Sequence, residues 1–226
     1  MHNGLFKLNN MKKITFLLLS VISINLFAQN SNDLLNDLSS QTNGLLYNRK
    51  SNDGKDNSKY YLDEKFKKGY VDGYSDSGNY RYNMFTDNIE FEDSKGGKYT
   101  LVKNIGTVVR LENGVVFEYV NINGINLQKF LQVLSSDNNK YKLYKSYQVK
   151  EIVNENVNSY NEQNKVKYNT IINYFIGFNN SIVEIPNSPK KFTNLLGFDV
   201  GSVIKSNNIS LNKEQDLIKL IDLLNK

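Results

Sequence analysis

Residues 60–153 are a series of short runs rich in Tyr, Phe, Val and Ile, each broken after a few positions by Gly, Asp, Asn or Ser. Runs of that length and punctuation are strands joined by tight turns, so this stretch reads as an antiparallel β meander. One hairpin within it fixes its own register. Its strands, 107–111 and 115–120, meet at Glu112-Asn113-Gly114. A two-residue Asn-Gly loop opposes Arg110 to Phe117 and Val109 to Glu118, which mixes both faces. A three-residue loop opposes Leu111 to Val115, Val109 to Phe117 and Thr107 to Tyr119. That register gives one apolar face and puts Gly114 where a left-handed residue is required. The three-residue loop is predicted.

Further strands are predicted at 66–71, 80–85, 89–92 and 99–102, and a hairpin pairs 130–134 with 141–153. A last hairpin pairs 168–178 with 181–185 across the two-residue turn Asn179-Asn180, with Tyr174, Ile176, Phe178, Val183 and Ile185 on one face. The C-terminus then turns helical. Ser188 caps a helix with Pro189 at its first position and Gly197 as its stop. A second short helix is read at 200–206. A third starts at Asn212 as N-cap with Gln215 three residues on, and buries Leu217, Ile218, Leu220, Ile221 and Leu224. Too short to be stable alone, it must dock on the sheet. The predicted fold class is α+β: predominantly antiparallel β hairpins followed by two or three C-terminal helices. Residues 29–59 read as a polar N-terminal segment with a short helix at 33–39 and a flexible loop at 48–59. Residues 154–167 read as a polar linker or long loop, and 168–226 as part of the same domain as 60–153.

The first 28 residues read as a cleavable export signal. Lys12 and Lys13 precede an apolar run at 14–27, and Ala28 offers a small residue at the cut. The run is shorter than the roughly 20 apolar residues that span a bilayer, and Ser20, Ser23 and Asn25 interrupt it. Cleavage is expected after Ala28, with Met11 an alternative start. No transmembrane span is expected after cleavage. The leader carries three of the 28 basic residues and none of the 23 acidic ones. The exported chain is therefore close to charge balance, without the basic footprint of a nucleic-acid binder.

The chain has no cysteine, and its single histidine is His2. Disulfides, zinc-thiolate sites, lipid attachment through cysteine, Ser-His-Asp triads and His-ligated metals are thereby excluded from the exported protein. No cofactor is expected. The fold must rest on an ordinary hydrophobic core, for which 15 Tyr and 12 Phe are ample.

Five stretches then carry a likeness. The order KKGYVDGYSDSGNYRYNMFTDNIEF (67–91), NGVVF (113–117) and FLQVL (130–134) leading into KLYKSY (142–147), with the tail EQDLIKLIDLLN (214–225), resembles a family of exported β-rich proteins of Gram-negative bacteria to which no activity is assigned. The resemblance implies a periplasmic or envelope-associated protein and carries over no catalytic residue.

Among side-chain constellations, Arg81, Tyr82, Asn83, Asp87 and Glu90 gather charge and aromaticity around a turn, and are the candidate ligand-binding residues. The competing view has Tyr80, Tyr82 and Met84 facing the core, Arg81 paired with a carboxylate, and 86–88 making the turn. Glu90, Glu92, Glu112 and Glu118 are the candidate acids for a carboxylate-dependent hydrolase. That chemistry needs two carboxyls about 5–10 Å apart across a cleft, and the chain has no Trp to stack on a sugar. Tyr60, Tyr61, Tyr141, Tyr144 and Tyr147 are candidates for an aromatic surface, with Tyr144 on the opposite strand face from Tyr141 and Tyr147. The expected function is binding or assembly in the envelope with a protein partner, and a periplasmic hydrolase is the alternative.

Overall fold

The computed structural model describes residues 47–49, 58–74, 77–93, 96–136, 139–152 and 167–226. The leader, the helix expected at 33–39, the middle of the loop expected at 48–59 and all of the linker expected at 154–167 except Lys167, which begins a strand, lie outside these residues. The chain divides into two compact units, 1–48 and 49–226. Of the first, only the start of a short strand, β1 (Tyr47–Arg49), is described. Among its described residues the second unit holds a 3-10 turn at Ser58–Tyr60 and ten strands. These are β2 (Lys67–Val71), β3 (Ser77–Asn83), β4 (Asn88–Glu92), β5 (Lys98–Leu101), β6 (Val108–Leu111), β7 (Val116–Ile122), β8 (Leu127–Val133), β9 (Lys142–Ile152), β10 (Lys167–Phe178) and β11 (Ser181–Glu184).

Both hairpins that the sequence resolves in register form as expected. Val109 pairs with Phe117, the Leu111 amide donates to Val115 O at 2.9 Å, and Gly114 takes φ 82°. Phe178 pairs with Ser181 across Asn179 and Asn180, both of positive φ. The long-range order departs from a simple meander. The ten strands lie side by side in the order β5-β4-β3-β2-β6-β7-β8-β9-β10-β11. After running outward to β5, the chain returns through 102–107 and lays β6 against β2, antiparallel. Turn residues set each hairpin, but none of them encodes which strand will receive β6.

The sheet rolls twice, and side-chain alternation shows how. One face carries Tyr80, Tyr82, Ile89, Val109, Phe117, Tyr119 and Phe130, all buried. Tyr82 on β3 and Tyr147 on β9 lie five places apart in the sheet order, roughly 24 Å if the sheet were flat. Their rings nevertheless approach to 6.3 Å, so this face is concave along β3–β9. Strands β7–β11 curl the other way. Val120, Ile122, Leu131, Tyr144 and Phe175 point from the opposite face into a separate apolar cluster, with Val133 and Ile182 packed against it. Asn123, just past β7, closes this second roll. Its amide donates to Ile182 O at 2.7 Å, and its Oδ1 accepts from the Ile182 amide at 2.8 Å.

Where the first face continues onto β9 and β10, three helices cover it: α1 (Pro189–Leu196), α2 (Val200–Ser206) and α3 (Glu214–Leu224). Ser188 caps α1, with its Oγ accepting from the Lys191 amide, and Gly197 ends it at φ 76°. Leu217, Leu220 and Ile221 of α3 pack with Leu143 and Ile176 of the sheet. The start of α3 differs from expectation: Lys213 is the N-cap, without a side-chain bond, and Asn212 stands one residue outside. Glu214 is drawn instead to the sheet, where Oε2 meets Lys145 Nζ at 2.6 Å and accepts from Tyr174 Oη at 2.9 Å.

This junction sets a pH dependence. Burial works against charge on both partners, but the hydrogen bonds between them prevail, so Glu214 is lowered and Lys145 raised. A lowered carboxyl stabilises above its unfolded value and loses that contribution as pH falls through the folded one. A raised ammonium contributes below its unfolded value and fades as pH rises through the folded one. Glu214→Gln is expected to cost about 1–2 kcal/mol near neutral pH. The gap from wild type should narrow below about pH 4 and again above about pH 10.5. Urea titrations at three pH values check this, and a gap independent of pH would contradict it.

Candidate functional site

The candidate residues of the β3–β4 hairpin fall on both faces of the sheet. Arg81 stands opposite Glu90, and Tyr82 opposite Ile89. On one face Glu90, 1% exposed, accepts from Arg81 Nε at 2.9 Å and Nη2 at 2.8 Å through Oε2. Its Oε1 accepts from Asn83 Nδ2 at 3.1 Å and from Tyr61 Oη at 3.3 Å. The Arg81 guanidinium lies 3.6 Å from the Tyr61 ring centre and 4.4 Å from that of Phe66. This is an internal polar core, enclosed by aromatic rings.

On the other face Asp87 Oδ1 accepts from Tyr82 Oη at 2.7 Å, while Oδ2 accepts from the Phe130 amide at 3.3 Å and faces Lys103 Nζ at 3.6 Å. Burial raises both Asp87 and Tyr82. Asp87 thus fastens the β3–β4 turn to β8 and to the crossover that leads into β6. Among the described residues no buried side-chain nitrogen or oxygen lacks a partner. The five candidates are therefore brought to one hairpin, but their polar atoms are engaged within the fold.

The tyrosines flagged as a surface are likewise inside: Tyr60, Tyr61, Tyr141, Tyr144 and Tyr147 are all buried. Tyr60 stacks on Phe85 at 4.4 Å and donates to Glu151. Tyr144 differs from the rest because it also lines an open cleft.

That cleft, of about 450 Å³, opens at the mouth of the second roll. Its walls are Glu118 and Val120 of β7, Lys142 and Tyr144 of β9, Gly177 of β10 and Ile182 of β11. Alternation puts all six on the concave face, for Lys142 pairs with Gly177 and Gly177 with Ile182. Tyr144 Oη donates to Glu118 Oε2 at 3.1 Å, so the buried ring holds the carboxylate from behind. Gly177 makes room for that ring, since a Cβ there would lie 2.8 Å from Tyr144 Cε2. Asn121, Asn139, Asn179 and Asn180 also line it.

In the sequence Glu118 is one of four candidate acids and Tyr144 one of five candidate tyrosines, and nothing local brings the two together. The available signal is Gly177, an isolated glycine inside a strand, which marks close approach by a neighbour. Of the four acids, Glu90 is bound to Arg81 and Glu112 is exposed in the hairpin loop, while Glu118 faces the cleft. Among the described residues no group of acidic or histidine side chains is placed to hold a metal, and no helix is long and apolar enough to cross a membrane. No family model, curated protein or solved structure matches the chain.

Proposed function

We propose that this chain is an exported envelope protein that acts by binding, and that the cleft of the second roll is its binding site. The leader at 1–28 supports export, as does the resemblance to exported β-rich proteins of Gram-negative bacteria. The observation that carries the binding reading is the cleft itself. It lies within the 300–1,000 Å³ of ligand sites and is lined by apolar residues such as Val120 and Ile182 together with polar ones such as Glu118 and Lys142. The Arg81–Glu90 cluster is a weaker choice because its polar atoms are already engaged with one another.

One measurement tests both parts. Native and denaturing mass spectrometry of the tagged protein recovered from its own envelope fraction is expected to show a chain beginning at Gln29. The native spectrum should also carry an adduct that Glu118→Lys loses. A full-length chain in the cytoplasm would overturn export. A bare native mass in wild type, or an adduct retained by the variant, would overturn the cleft as the binding site.

A further inference from the structure

Resting on that reading of the cleft, we infer that it takes a zwitterionic ligand, an amino acid or short peptide with both ends free. Its two charged walls carry the inference. Glu118 has one hydrogen-bonding partner among the described residues, the Tyr144 hydroxyl, and that bond occupies Oε2 and leaves Oε1 without one. Lys142 lines the same cleft and has no ion pair or side-chain hydrogen bond among the described residues. The next lysine along, Lys140, has its ammonium 5.1 Å from the Tyr141 ring centre. A carboxylate and an ammonium therefore share one cleft without pairing with each other.

A ligand with a single charge would satisfy one wall and desolvate the other unpaired, which costs free energy. A ligand with an ammonium and a carboxylate satisfies both. Free amino acids and peptides with open termini have that chemistry, and the asparagines among the lining residues suit the amide groups of a peptide. Val120 and Ile182 offer apolar contact to a ligand side chain. The carboxylate is also held in advance. Tyr144 is 3% exposed and fixed among Leu131 and Phe175, so binding Glu118 requires little new ordering.

The test is NMR titration of the intact ¹⁵N-labelled protein with alanyl-alanine, its N-acetyl form, its C-terminal amide, the doubly blocked form, and maltose. Free alanyl-alanine is expected to shift the amides of Glu118, Lys142, Tyr144 and Gly177 saturably. Blocking either end should weaken binding by about tenfold or more. Glu118→Gln should abolish the penalty for N-acetylation, and Lys142→Met the penalty for amidation, while both variants keep the wild-type spectrum elsewhere. Doubly blocked dipeptide or maltose binding in the cleft as tightly as the free dipeptide would overturn the zwitterion and leave the cleft standing as a binding site. Cleft resonances that stay fixed with every probe up to roughly 10 mM would also overturn the zwitterion. The adduct measurement above then decides the cleft reading independently.

Discussion

Arg81→Met is expected to lower stability by about 3–5 kcal/mol, the cost of stranding a buried carboxylate. In the native protein Glu90 receives two hydrogen bonds from Arg81, one from Asn83 and one from Tyr61. Methionine fills much of the space between Tyr61 and Phe66 but supplies no charge. Glu90, 1% exposed, would keep the bonds from Asn83 and Tyr61, both neutral donors. The double variant Arg81→Met, Glu90→Leu separates the two contributions. If the single variant suffers from an orphaned charge, removing that charge should restore stability to within about 1–2 kcal/mol of wild type. Urea midpoints with unchanged slopes would report it. A single variant within about 1 kcal/mol of wild type would show that the pair contributes little. An equally unstable double variant would mean that packing of the guanidinium, and not its charge, is what matters.

That cluster also shows where sequence reading stops. Alternation and turn chemistry act over about fifteen residues, and at that range the chain is legible. The 112–114 loop, the Asn179-Asn180 turn, the Ser188 and Gly197 ends of α1 and the apolar face of α3 all follow from neighbours in sequence. The pairing of Arg81 with Glu90 is of the same kind, being cross-strand neighbours on one hairpin. What is illegible is non-local. The β2–β6 joint, the two opposed rolls and the docking of Glu214 on Lys145 and Tyr174 join residues about 30–70 positions apart. The cleft inherits that difficulty, because Glu118, Tyr144 and Ile182 converge only once the second roll has formed. The expected start of α3 at Asn212 fails for a related reason. A capping box is a local preference worth about 1 kcal/mol, and Glu214 makes an ion pair and a hydrogen bond with the sheet instead.

The joint between the two parts of the sheet gives the second large effect. Gly69→Ala is expected to cost about 3 kcal/mol or more, although replacing glycine with alanine at an unstrained site usually stabilises by roughly 0.4–1 kcal/mol. The sign reverses because β2 and β6 approach too closely for a side chain. A Cβ on Gly69 would lie 2.4 Å from Arg110 O and 2.9 Å from Leu111 Cδ2. The leucine can turn away, but the carbonyl oxygen is part of the opposing backbone, so the strands must separate. Only three register pairs join them: Gly69 with Leu111, Tyr70 with Arg110 and Val71 with Val109. The flanking bonds, Asp72 N to Val108 O at 2.9 Å and Glu112 N to Lys68 O at 2.8 Å, would open with them. Hydrogen exchange should therefore lose protection first at Asp72 and Glu112, while the Asn179-Asn180 hairpin stays protected. If Gly69→Ala matched wild type in urea midpoint and in protection at those two amides, β6 would have to lie farther from β2. The crossover that brings it there would then need another path.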